Sequence, residues 1–91
     1  MICLDTVGIL EQRLEFLENM KGAAIQCGWL PQDVQEFYEY LLSEVIRIDN
    51  LMFDVHEETD DPQLAYLTWE GHMEDLRRWS TLILGIKIEF V

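Results

Sequence analysis

The chain has 91 residues, with 18 Asp and Glu against six Lys and Arg and a formal net charge of −12. Counterion release on a phosphate backbone needs Lys and Arg, so this balance argues against direct nucleic-acid binding and against docking on an anionic membrane. Apolar residues make up 49%, too many for a chain disordered by its composition, and the length suits one helical domain over residues 1–91.

Met1–Leu4 is apolar but too short to assign alone. The N-terminus lacks a basic region followed by an apolar core and a cleavage site, so no secretory leader is expected. No apolar run reaches the ~18 residues needed to span a bilayer, and the default location is the cytoplasm. Asp5 or Thr6 can cap a first helix that runs to about Cys27, with Gly28 as the left-handed residue that ends it. Two apolar stripes run along this helix: Val7, Leu10, Leu14, Leu17 and Ile25 on one side, and Ile9, Phe16, Met20, Ala23 and Cys27 on another. Glu11, Glu15 and Glu18 follow a narrow exposed edge. Gly22 marks either a weak point or a close helix contact.

Trp29 and Leu30 form a connection, and Pro31 fits the first turn of a central helix reaching about Glu58. Asp33 and Glu36 complement its positive dipole end. Val34, Tyr38, Leu41, Val45, Ile48, Met52 and Val55 recur at alternating spacings of four and three, the period of a packed helix. Leu42, Ile46 and Phe53 form a second stripe on the same helix, and Phe37 and Leu51 flank the first on its other side. Only Glu36, Ser43, Arg47, Asn50, Asp54 and Glu57 keep one strip polar.

After an acidic break at Glu57–Asp61, Asp61 and Pro62 repeat the start signal for a third helix. Ala65, Trp69, Met73, Leu76, Ser80 and Ile83 share one face, with Tyr66 and Trp79 at its margins. Glu74 and Asp75 lie at pairing distance from Arg78 on the outer face. Beyond Gly85 the order Ile86, Lys87, Ile88, Glu89, Phe90 alternates apolar and charged, which predicts a short extended segment.

The fold class expected is therefore all-α: a three-helix unit with a long central helix and a short C-terminal extended segment. The first and central helices each carry more apolar surface than a three-helix monomer hides. The simplest resolution is a homodimer, with Tyr38, Leu42, Ile46 and Phe53 at the interface of a larger bundle.

Chemistry-bearing constellations are sparse. Ferritin-like di-metal helices place a Glu three residues before a His, whereas Phe53 precedes His56 and Trp69 precedes His72. The acids from Asp54 to Asp61 lack the glycine and spacing of a calcium loop. Cys3 and Cys27 fit no zinc spacing and are expected as reduced thiols. Cys27 lies on an apolar stripe, Ser43 has no histidine within a turn, and Ser80 is expected to bond back to the preceding turn. No catalytic, cofactor or metal residue is assigned, and an enzyme is not expected.

The acidic edges support a more specific idea. Carboxylates three or four residues apart on a helix are about 4.5–6 Å apart along its axis. Duplex DNA carries a charge every ~3.4 Å along each strand, so such a surface stands in loosely for a phosphate track. Glu11, Glu15, Glu18, Glu36, Asp54, Glu57 and Glu58, with Tyr40 as an aromatic anchor, are the residues expected to meet a protein with a basic surface, one that binds nucleic acid being the example the spacing suggests. Inhibition or neutralisation of that partner is the expected outcome. The competing readings are an assembly subunit held by apolar helix packing and a small metal-binding or ligand-binding regulator; an acidic coat that only keeps the chain soluble is the plain alternative.

Overall fold

A computed structural model describes residues 6–89 as three helices: α1 over Thr6–Gln26, α2 over Pro31–Thr59 and α3 over Pro62–Glu89. Met1–Asp5, Cys3 among them, and Phe90 and Val91 lie outside the described residues.

Each helix end follows from its local chemistry. Gly28 sits at φ 83°, and around it Trp29 N–H donates to Ala24 O at 3.1 Å and Gly28 N–H to Ile25 O at 3.0 Å. This crossed pair is a Schellman close, which satisfies carbonyls that the last turn of α1 would otherwise leave open. At α2 the fixed φ of Pro31 starts the helix directly after an extended Leu30, with no side-chain cap. Asp60, at φ 52°, closes α2 through its N–H to His56 O at 2.8 Å. One residue later Asp61 Oδ1 accepts from the N–H groups of Gln63 and Leu64, both at 3.1 Å, and opens α3 as the expected cap.

The C-terminal segment corrects the expectation from alternation. Residues 86–89 continue α3 through Gly85 rather than turning extended. An established helix adds each residue at the cost of fixing one backbone unit, whereas a lone short strand leaves its N–H and C=O groups without a ladder. One internal glycine, at about 1 kcal/mol, does not reverse that balance.

α2 is the central element, packing on α3 and α1, while α1 and α3 touch each other least. The result is a rod of 51 × 19 × 15 Å. Its core takes Val34, Phe37, Leu41, Val45, Ile48 and Met52 from α2, each at most 7% exposed. Facing them are Ile9, Phe16, Leu17 and Ala24 of α1 and Ala65, Trp69, Met73, Leu76 and Leu84 of α3. The main seam of α2 is thus covered by its own chain, with Tyr38 and Val55 half-buried at its ends.

The doubled stripes separate cleanly. On α1 the stripe of Ile9 and Phe16 goes inside and takes Leu17 with it, whereas Leu10, Leu14 and Ile25 stay 51%, 61% and 57% exposed. On α2 the second stripe is half-covered at Leu42 and about half exposed at Ile46 and Phe53. Two neighbours leave the far flank of each helix open, because α1 and α3 lie on adjoining sides of α2.

Gly22 does not mark a close contact: a Cβ built there meets nothing within 4 Å. Gly28 has equal space but a backbone that L-residues rarely adopt. The same substitution should therefore act in opposite directions. Gly22→Ala is expected to stabilise by about 1 kcal/mol and Gly28→Ala to destabilise by about 1 kcal/mol, read from urea-unfolding midpoints.

Candidate partner-binding surface

One carboxylate ties the three helices together. Asp49 Oδ1 accepts the Trp69 indole N–H at 2.9 Å, and Oδ2 meets Arg13 Nη1 at 3.0 Å. Asp49 is only 8% exposed, and Trp69 2%. Burial raises the Asp49 pKa above its ordinary 3.8, outweighing the Trp69 hydrogen bond and the Arg13 charge, which both lower it. Hydrophobic spacing does not single out this cluster, but an anomaly marks where it lies. Asp49 falls inside the apolar arc of α2, with Val45 four residues before it and Met52 and Phe53 three and four after. A carboxylate at such a position needs buried partners, but spacing alone does not say that Arg13 and Trp69 supply them.

The network positions surfaces rather than reacting groups. Arg13 beside Asp49, and Lys21 5.4 Å over the Tyr38 ring, set α1 antiparallel to α2 in a fixed register. Most of the remaining cations turn inward on the protein's own acids. Arg47 binds Glu44 through two nitrogens at 3.0 and 2.8 Å, and Glu74 takes Arg77 at 2.7 Å and Arg78 at 3.8 Å. Arg78 approaches Glu74 and not Asp75, in contrast to the expectation that either would serve.

Most carboxylates are left facing water. Glu11, Glu15 and Glu18 are exposed along the back of α1, and Glu36, Asp54, Glu57 and Glu58 along α2. They do not form one surface. At ~100° per residue, Glu57 turns toward the open flank of α2 beside α1, whereas Glu36, Asp54 and Glu58 share the side of Tyr40. Tyr40, 46% exposed, stacks on Trp79 of α3 with centroids 5.1 Å apart. Trp79 continues to the buried Phe37 at 6.5 Å, and Phe37 to Trp29 at 5.0 Å. Tyr40 is therefore one end of an aromatic row at the α2–α3 seam, away from the α1 acids.

The expected dimer residues also divide. Tyr38 and Leu42 pack against the core, while Ile46 and Phe53 present 47% and 49% of their surface to solvent. Leu10 and Leu14 adjoin Ile46 and Phe53, which spacing within either helix does not show, because which helix edges adjoin depends on the register set by Arg13 and Asp49.

Concave features are shallow. Two adjoining grooves of about 370 and 190 Å³ between α1 and α3 share Gln12 and Arg77. A third, about 280 Å³, lies beside Tyr40, Arg47, His72 and Trp79. Among the described residues no three His, Cys, Asp or Glu side chains converge in a way that would hold a metal ion. No described helix is long and apolar enough to cross a membrane. Ser80 is fully buried, and its hydroxyl donates to Leu76 O at 2.7 Å, the expected back-bond. Cys27 is a half-buried free thiol. Comparison of the chain with protein-family models, curated proteins and solved structures finds no match.

Asp49→Ala removes the shared acceptor from Arg13 and from the Trp69 indole, and is expected to cost about 2 kcal/mol. Its pH dependence has a definite sign. A pKa raised on folding means the folded protein holds the Asp49 proton more tightly than the unfolded chain does. That contribution is complete below the unfolded value and is lost as pH rises through the folded one. Wild type minus Asp49→Asn stability, measured by urea unfolding, should therefore be larger near the ordinary carboxylate pKa than at neutral pH.

Proposed function

We propose that this protein is a non-enzymatic, acidic protein-binding module that inhibits or neutralises a partner with a basic surface. The observation that carries the reading is the disposition of its cations. Arg13, Arg47, Arg77 and Arg78 are held by the protein's own carboxylates and Lys21 lies over Tyr38. The acidic surface is consequently left with little internal compensation at a net charge of −12. Such a field steers a cationic protein toward the helix faces and raises its association rate, an effect that weakens with salt.

The partner's basic surface, on this reading, is one that otherwise meets nucleic acid, since Glu11, Glu15 and Glu18 repeat along α1 as phosphates do along a strand. A homodimer through the half-exposed Ile46 and Phe53 is the second reading, favoured by their exposure alone.

Affinity capture from the native host at low and high salt, with mass spectrometry of the retained proteins, tests the proposal. A basic protein released by salt is expected, and an assembly subunit would instead hold its partner at high salt. Reversing Glu11, Glu15 and Glu18 together to Lys should slow association by about tenfold at low salt. An unchanged rate removes the α1 edge from the interface.

A further inference from the structure

We infer that the flank where α1 and α2 adjoin, on the side away from α3, is a docking groove for an amphipathic helix with basic margins. The inference rests on the acidic-module reading and adds the shape and chemistry of what binds. The antiparallel register set by Arg13 on Asp49 and by Lys21 over Tyr38 places Leu10 and Leu14 beside the span from Ile46 to Phe53. On both helices these residues lie on the open side: Gln12 reaches Tyr66 of α3 from the opposite edge of α1, and Tyr40 meets Trp79 from the opposite edge of α2. Leu10, Leu14, Ile46 and Phe53 are 51%, 61%, 47% and 49% exposed in that order. They form an apolar strip floored by the half-buried Leu42.

The strip has a length and a border that define its occupant. Ile46 and Phe53 are two helical turns apart, about 10 Å, which matches apolar residues at i and i+7 on a helix lying along the groove. Glu11 and Glu18 border the strip on α1, and Glu57 on α2; all three are exposed. Basic residues flanking the apolar stripe of an incoming helix would meet these acids. A second copy of this chain would instead bring Glu11, Glu18 and Glu57 up to the same set of acids, and like charges across an interface oppose association. Lys21 stands at the Tyr38 end of the strip, so the basic margins of the occupant belong toward the Leu10–Phe53 end.

The test uses a synthetic peptide of about 18 residues, with Leu at helical spacing and Lys on both margins, beside a scramble of the same composition. Calorimetry should show the patterned peptide binding at least about tenfold more tightly than the scramble, with a gain of helical circular dichroism. Phe53→Glu and Ile46→Glu should each weaken it by about tenfold or more. Leu82→Glu, at a residue 65% exposed on α3, should leave it unchanged. Thermal melts of each variant separate lost docking from lost folding; if Phe53→Glu unfolds, Leu14→Ser at the 61% exposed position reads the same face.

No binding, equal binding of the scramble, or equal damage from Leu82→Glu would each overturn the groove. So would a dimer in light scattering that Phe53→Glu dissociates, which would assign the strip to a second copy. Salt-sensitive capture of a basic host protein that Phe53→Glu does not disturb would sink the groove while leaving the acidic-module proposal standing. Loss of capture on reversing the acids, with none on Phe53→Glu, would have the same meaning.

Discussion

Asp49 accepts a hydrogen bond from Trp69 of α3 and an ion pair from Arg13 of α1 with the two oxygens of one carboxylate. Apolar packing by itself is forgiving about sliding: a helix displaced along its axis by one turn presents a similar stripe to its neighbour. A buried carboxylate is not forgiving. Displacing α1 or α3 by a turn would leave a desolvated acceptor beside a desolvated donor without their bond, at a cost larger than most single apolar contacts contribute. The carboxylate therefore selects one register among several that the hydrophobic pattern permits.

That selection reaches the surface. The raised Asp49 pKa shows that holding this charge inside is costly even with both partners present. What the cost sustains is alignment: the placing of Leu10 and Leu14 beside the span from Ile46 to Phe53 follows from where Arg13 meets Asp49. Stability alone would be served as well if Asp49, Arg13 and Trp69 were replaced together by well-packed apolar residues. The network is better understood as fixing geometry than as adding to the strength of the core.

Helix existence was legible because each signal acted locally. Pro31 and Pro62 mark helix starts, Gly28 marks an end, Asp61 caps, and the seam from Val34 to Met52 has one period throughout. The tail departs from its alternating pattern because Ile86 to Glu89 are too few residues to distinguish a strand from one flank of a helix, and the preceding helix decides the matter. The burial of Leu84 and the openness of Leu10 and Leu14 depend on which sides of α2 its neighbours occupy. No single-helix pattern contains that information. The Asp49 cluster lies between these cases: its oddness was visible from spacing, its partners only from packing.

The same distinction orders the candidate site. Exposure of Glu11, Glu15, Glu18, Glu36, Asp54, Glu57 and Glu58 follows from charge alone, since an unpaired carboxylate stays in water. Their division into separate faces, with Tyr40, Glu36, Asp54 and Glu58 turned from the α1 edge, arises only when the helices are assembled. Tyr40 illustrates the consequence. From spacing it is an aromatic stranded among charges, and in the fold it rests on Trp79 at the end of a row reaching the core. A half-exposed ring already stacked on one side has less to gain from a partner than an aliphatic strip with one face open. That physical difference moves the centre of the candidate interface from Tyr40 to the α1–α2 flank.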